Sequence, residues 1–473
     1  MKKNTCFFVV FILCLIAVAV MLAACNGDAN QTPELRYRSD DELGGYVVEG
    51  WGTVKEKTEL IVPSSYKDKP VKKIAKGAFA GSRDLVNLVL PEGLEEIEAN
   101  AFKGCASLTS VVLPNSLKSV GGYVFASCPI KNAAAPCVAA GTVIPISDLE
   151  TLDLTGGTEI AAHALDGARK LTSVTFPESL ERIGQTAFAF CKSLTSVRLP
   201  SSVKEIQGLA FWNCDQLTKA EFAGSIEEWC GIDFGDNLSN PSCFTHQIEI
   251  GGVDFTGDFS GCEKTIESIG AYAFVNLDGI RNVEIPNGVT SIGARAFWNC
   301  ENLKKLTIAD SVSEVAGDAF EGTAIEEITA PAVAFGSIPK RNFKRAVVTS
   351  GKETNYRAFA LCSELTSVTL NDDLEILGDS IFSKCTKLTT VTIPEEVEII
   401  PNSAFDSCSE LKTVYLPGGI KKINYFAFCL CSKLTDIYFD GTLAQWDAIA
   451  FHSMWNSYCS SITVHCTNGT ITV

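Results

Sequence analysis

Phenylalanine recurs along this chain at a fixed interval, and that interval constrains the fold more tightly than any other feature. Phe79, Phe102 and Phe125 are 23 residues apart, as are Phe188 and Phe211, then Phe274, Phe297 and Phe320, then Phe359, Phe382, Phe405 and Phe428. Leu165 keeps the same spacing ahead of Phe188 and takes the aromatic's place, so thirteen anchors stand in register. A period of this length is the mark of a chain built by stacking one small supersecondary unit on the next.

One full unit starts at Leu108 and reads LTSVVLPNSLKSVGGYVFASC. Leu108, Val111 and Leu113 make an L-x-x-L-x-L phrase, followed by Pro114, the pair Leu117 and Val120, the anchor Phe125, and Cys128. The same frame fits Leu194, Val197, Leu199, Pro200, Val203, Ile206, Phe211 and Cys214. The leucine phrase predicts a turn leading into a short strand. Proline ends that strand because it has no amide to donate to a further ladder bond. A second short extended segment and a turn then bring the phenylalanine inside. One such coil has too little apolar surface to stand alone, so coils must stack to bury their edges.

The phrase LTSVTFPESLERIGQTAFAFC from Leu171 to Cys191 resembles the BspA-type leucine-rich repeat, and the resemblance extends over nearly the whole chain beyond its N-terminus. It implies an α/β-type repeat solenoid that is mainly β, a right-handed superhelix of ~23-residue coils. It also implies a surface protein that binds macromolecules of a host or of neighbouring cells.

Three gaps interrupt the period, of 40 residues from Phe125 to Leu165, 63 from Phe211 to Phe274 and 39 from Phe320 to Phe359. The two shorter gaps share an Ala-Pro start and an apolar stretch, Ala134 to Ile146 and Ala330 to Ile338, and look like one coil variant used twice. Phe222, Gly224, Trp229, Ile232 and Phe234 have the same mutual offsets as Phe439, Gly441, Trp446, Ile449 and Phe451, so a tryptophan-containing module is also duplicated. The expected organisation is a signal peptide at 1–24, a lipidated cysteine and polar tether at 25–35, and an N-terminal cap at 36–78. A first repeat array follows at 79–221, a Trp module at 222–250, a second array at 251–438 and a Trp-containing cap at 439–473. Trp446, Phe451, Trp455 and Tyr458 are expected to form the core of that last cap.

At the N-terminus, Lys2 and Lys3 precede an apolar run from Phe7 to Met21 that closes with Leu22, Ala23, Ala24 and Cys25. This is the layout of an export signal. The closing tetrapeptide resembles the bacterial lipoprotein box, which implies a diacylglyceryl thioether on Cys25 and a protein held at the cell surface by lipid. An ordinary secretory signal and an uncleaved membrane span are the alternatives.

Composition narrows the chemistry. A formal charge of −17 excludes nucleic acid as a partner, because binding a polyanion relies on lysine and arginine neutralising phosphates. The histidines His163, His246, His452 and His465 fall in no metalloprotease pattern, and there is no nucleophile elbow or phosphate-cradling loop. Neither catalytic residues, nor a cofactor, nor a metal site is expected. Nine cysteines sit three residues after an anchor, in a slot that elsewhere holds Ser82, Ala168, Leu277 or Thr323. Small buried thiols fit that slot better than disulfides between coils. Among the cysteines of the irregular segments, Cys230 with Cys243 and Cys459 with Cys466 are candidate staples.

A ligand would meet the outward residues of the strands, which are mostly serine and threonine. They either solvate a β surface or form a flat hydrogen-bonding face, with aromatic area at Tyr415 and Tyr438. Trp212 and Trp298 follow their anchors directly and are further candidate contacts, or else pack on the adjacent coil. The reading is a lipid-anchored surface protein that binds protein partners or mediates adhesion. A glycan-binding module and a structural envelope component are the alternatives.

Overall fold

The computed structural model describes residues 35–53, 57–141, 143–262 and 265–473, so the export segment and Cys25 lie outside the described residues. The chain divides between Ala220 and Glu221 into two compact units, and each is a stack of coils.

A regular coil contributes three stretches of backbone, each hydrogen-bonded to its counterpart in the next coil. The first is the strand of the leucine phrase. In the first unit Ser110–Val112, Asn132–Ala135, Thr151–Leu154 and Ser173–Thr175 pair in parallel. In the second, Asn282–Ile285, Lys305–Ile308, Glu327–Ala330, Arg345–Val348 and Ser367–Thr369 do so. Thr390–Thr392, Thr413–Pro417, Asp436–Asp440 and Thr463–Cys466 form a parallel set in the same unit, closed by the antiparallel strand Gly469–Thr472. Side chains alternate, so Val111 and Leu113 point inward and are 2% exposed each. The proline then closes a turn: the carbonyls of Pro114, Pro200 and Pro394 accept the amides of Leu117, Val203 and Val397. Next come two-residue strands, such as Ser268–Ile269, Ser291–Ile292 and Glu314–Val315, again parallel.

The third stretch is the turn that carries the anchor. The Phe297 amide donates to the Ala319 carbonyl at 2.8 Å, and Phe405 to Ala427 at 2.7 Å. The rings stack one per coil. Phe359, Phe382, Phe405 and Phe428 lie at centroid spacings of 5.3, 5.3 and 5.1 Å with planes within 18° of parallel, all wholly buried. That spacing is close to the ~4.8 Å between neighbouring strands, so ring stacking and backbone bonding agree on one distance.

The cysteines complete the column as free thiols. Cys300 donates to the Phe274 carbonyl at 3.1 Å, Cys408 to Phe382 at 3.1 Å, and Cys191 to the leucine anchor Leu165 at 3.3 Å, each bond reaching back to the previous coil. Burial pushes the Cys214, Cys300 and Cys408 thiols up to about 12, so they stay protonated and donate. Cys459, assigned by its sequence context to an irregular segment, belongs to the same column, because its thiol meets the Phe428 carbonyl at 2.9 Å. Its nearest thiol neighbour is Cys431, not Cys466, and Cys230 faces Cys262 while Cys243 is held by the amides of Asn237 and Asn276.

Each anchor except Phe320, which has only Gly322 after it, is flanked two residues before and two after by backbone in the left-handed region. Tyr123 (φ 61°) and Ser127 (60°) bracket Phe125, Leu209 (60°) and Asn213 (58°) bracket Phe211, and Phe426 (57°) and Leu430 (59°) bracket Phe428. Glycine fills the position at Gly77, Gly81 and Gly104, but most coils place a side chain there at a cost of roughly 1–2 kcal/mol each. Tyr458 (φ 62°) occupies such a site and is 79% exposed, so it does not join the C-terminal core, whereas Trp446 and Trp455 are buried.

The interruptions are variants of the coil. After the strands Asn132–Ala135 and Glu327–Ala330, a proline leads into a 3-10 helix, Cys137–Ala139 and Ala332–Gly336. The registers Asn132↔Thr151 and Glu327↔Arg345 show that these coils are short, and Phe335 supplies a ring against Phe359 at 4.7 Å. The two Trp modules share one structure. Ser225 and Thr442 cap the helices Ile226–Cys230 and Leu443–Asp447 with reciprocal bonds to Glu228 and Gln445. Trp229 lies 5.3 and 5.2 Å from Phe222 and Phe234, and Trp446 5.4 and 5.2 Å from Phe439 and Phe451. Gly224 and Gly441 are required, since a Cβ there would run into the Phe222 or Phe439 ring.

Leu361 (φ 68°) and Leu430 are 62% and 46% exposed. Relief of the left-handed strain exceeds the entropy that glycine adds to the unfolded chain, so Leu361→Gly and Leu430→Gly should each raise stability by about 0.5–1 kcal/mol in chemical denaturation. Alanine at either position should not. The buried thiols also set a pH dependence. In the unfolded chain they ionise near pH ~8.5, while the folded chain keeps its protons to about 12, so stability is whole below ~8.5 and falls as pH rises. The slope between pH 8.5 and 10.5 should be shallower in the variant Cys214→Ala/Cys300→Ala/Cys408→Ala; an unchanged slope would show that the column thiols do not titrate this way.

Candidate functional site

The outward residues of the leucine-phrase strands form two columns, and their chemistry changes along the second unit. From Asn282 the first column runs Asn282, Lys305, Glu327, Arg345, Ser367, with register fixed pair by pair. Farther along it runs Thr390, Thr413, Asp436, Thr463, beside a second column Thr392, Tyr415, Tyr438, His465. The strand period of two places Tyr415 and Tyr438 on the same face, and the parallel register sets them one coil apart.

Tyr415 and Tyr438 are 42% and 40% exposed, and their rings stack at 5.0 Å with planes 17° apart. His465 extends the stack, 4.5 Å from Tyr438 and 11° from parallel. Asp436 fixes that ring by a 2.7 Å contact to Nε2. The His465 ring first, and the Thr435 hydroxyl second, hold the Asp436 carboxyl below the usual carboxylate range. The site is therefore three rings in line rather than two tyrosines. Sequence reasoning missed His465 because the register Asp436↔Thr463 spans a longer coil, thrown out of period by the Trp module; the buried Ile462 and Val464 are the signal that marks this strand.

Trp212 and Trp298 lie elsewhere, in the anchor turns and not on the strands. Trp212 belongs to the first unit, is 38% exposed and meets Phe190 edge-on at 4.7 Å. Trp298 belongs to the second, is half-buried and carries the Arg295 guanidinium 5.9 Å from its ring. The structure thus joins Tyr415 to Tyr438, and neither tryptophan shares their column.

At the other end of the second unit's strand face a groove of about 400 Å³ is lined by Thr256, Asp258, Asn282, Glu284, Lys305 and Thr307. Its walls are of mixed charge. His163 uses the same Nδ1 toward the Thr186 hydroxyl at 2.5 Å and the Asp166 carboxylate at 3.8 Å. Among the described residues no group of three or more histidine, cysteine, aspartate or glutamate side chains is placed to hold a metal ion. No helix among them is long and apolar enough to cross a membrane.

The BspA type leucine rich repeat region, in six copies, matches residues 69–139, 158–252, 267–352 and 352–472. No curated protein matches the sequence. Among solved structures, a leucine-rich repeat protein from Bacteroides ovatus is 22% identical over 90% of this chain and 99% of its own, with a TM-score of 0.29. A leucine rich cell surface protein from Faecalibacterium prausnitzii is 19% identical over 90% and 99%, with a TM-score of 0.31. A leucine-rich repeat protein from Eubacterium ventriosum is 19% identical over 91% and 94%, with a TM-score of 0.30. With stacked coils, buried anchors and a family match over most of its length, the protein belongs to the BspA-type leucine-rich repeat family.

Proposed function

We propose that this is a lipid-anchored cell-surface scaffold that binds a protein partner on the outer strand face of its second unit, and that it is not an enzyme. Cys25, at the end of its Leu-Ala-Ala box, would carry the acyl chains; a stable anchor requires more than one. The observation that carries the reading is the stripe of the exposed Tyr415 and Tyr438 with the half-buried His465, beside outward residues that from Thr390 to Thr463 are threonines and Asp436. Aromatic area of this kind is enriched at protein interfaces, and the surrounding hydroxyls supply hydrogen bonds without bulk.

The stacking also weighs against a glycan. A sugar packs its C–H face onto a free ring face, but Tyr438 has a ring stacked on each side and offers solvent an edge and a hydroxyl. Trp212 and Trp298 remain the stronger positions for a sugar.

Purified protein should bind one or more extracellular-matrix or cell-surface proteins on an array, and Tyr415→Ala/Tyr438→Ala should weaken that binding at least tenfold while Trp212→Ala/Trp298→Ala leaves it within twofold. Glycan binding lost in the tryptophan variant would reverse the assignment. In the native host, Cys25→Ala should move the protein from the detergent phase to the aqueous phase on partition; an unchanged distribution would remove the lipid anchor from the account.

A further inference from the structure

Exposed carboxylates on these coils are commonly answered by a lysine one coil away. Lys204 reaches Glu181 at 2.8 Å, Lys387 reaches Glu364 at 2.6 Å, and Lys433 reaches Glu410 at 2.7 Å. Glu326 is bracketed by Lys304 at 3.5 Å and Lys344 at 2.6 Å. The stack thereby neutralises like charges that parallel register would otherwise set side by side.

The turns leaving the strands around the tyrosine stripe break this pattern. Asp372 and Asp373 leave one strand, Glu395 and Glu396 the next, and Asp440 ends the strand that carries Tyr438. All five are exposed, and among the described residues none has a side-chain hydrogen bond or an ion pair. Asp372 and Glu395, like Asp373 and Glu396, hold equivalent positions in adjacent coils, a spacing of ~4.8 Å at which like charges repel. Lys352 is close enough to feel Asp373 and Glu396, but its ammonium is engaged by Glu375 at 2.5 Å. Asp436 adds a sixth carboxylate on the face itself; the entry turns of these strands hold Lys387, Lys412 and Lys433, of which Lys387 and Lys433 are engaged by Glu364 and Glu410. The coil between, which carries Tyr415, has Gly418 and Gly419 where the preceding coil carries Glu395 and Glu396, and Asp440 of the following coil pairs with Pro417. Gly418 packs against the Asp440 carbonyl with no room for a Cβ.

The geometry points to an extended, lysine- or arginine-rich polypeptide segment as the occupant of this face, a refinement that rests on the strand-face reading above. A basic side chain laid across the stripe puts its methylene stem on the tyrosine edges and its charged head among the rim carboxylates, so one residue type satisfies both surfaces. The rim extends over about four coils, or ~14 Å, which an extended peptide covers with four or five residues. The unanswered repulsion between the rim carboxylates is relieved only by a cationic ligand, and an acidic or neutral one gains nothing from it.

Fluorescence anisotropy with labelled octalysine, octaserine and octaglutamate tests this on the full protein. Octalysine should bind and weaken steeply from 50 to 300 mM salt, and the other two should not bind. Glu395→Gln/Glu396→Gln/Asp440→Asn should weaken octalysine at least tenfold. Asp84→Asn/Glu178→Gln/Asp233→Asn, the same charge change at exposed positions off this face, should leave it within twofold. Equal losses in the two triple variants would mean diffuse attraction to an acidic protein and overturn the proposal, as would octaglutamate binding as well as octalysine. Circular dichroism establishes that both variants fold. If a protein partner is lost with Tyr415→Ala/Tyr438→Ala but not with the rim variant, the charge assignment fails and the strand-face reading stands. If neither variant affects any partner, both fail.

Discussion

Everything in this protein depends on the fact that a coil cannot bury its own edge. A single turn of about 23 residues exposes as much apolar surface as it covers, and only the next coil, placed in register at the β spacing, removes that surface from water. The buried phenylalanine column is the clearest expression of this constraint. Ring spacing of 5.1–5.3 Å from Phe359 to Phe428, strand pairing and turn-to-turn amide bonds all impose one repeat distance. The thiol bonds reach back to the previous anchor's carbonyl and give it a second donor beside the amide of its own turn, as at Phe382, which accepts from both Cys385 and Cys408. Stability in such an array comes from neighbour-to-neighbour terms, which explains why coils as different as the short 3-10 variant and the Trp module can be inserted. Each keeps the strand register and fills the interior with its own ring, Phe335 or Trp229.

The parts of this design that were legible in the sequence are those tied to side-chain type at fixed spacing. Anchors, inward strand residues, terminating prolines and the small cysteine slot all lie where periodicity puts them. The duplicated Trp offsets correspond to a duplicated structure, and the two Ala-Pro stretches to one coil variant. Backbone conformation was not legible. Left-handed positions beside the anchors are filled in several coils by Tyr123, Leu209, Phe426 and Leu430, residues that carry no conformational signature, because packing of the next coil overrides their local preference. For the same reason Tyr458 looks like a core aromatic in sequence and is exposed in the structure. Cys459 was assigned to the wrong class because the Trp module lengthens its coil and moves it out of period, although its place in the thiol column is unchanged.

The candidate face was half legible. Alternation along a strand identifies Tyr415 and Tyr438 as outward, and parallel register makes them neighbours. The third ring, the carboxylate that fixes it and the acidic rim depend on which turns come side by side, and that is set by coil length. These features together describe a surface with threonine hydroxyls, an aromatic line whose middle ring, Tyr438, has both faces occupied, and rim charges without partners. A solenoid is suited to such a surface because its strands are held by the stack beneath. Outward residues carry no part of the core, so the face can diverge while the coils keep folding.

The claim that this strand face is where the protein works is tested most directly by hydroxyl-radical footprinting of the full protein, free and with a bound protein partner. Oxidation of Tyr415, Tyr438 and His465 should fall severalfold in the complex while Trp212, Trp298 and Tyr458 react as in the free protein. Unchanged oxidation of the three stacked rings, with protection at either tryptophan instead, would contradict the account.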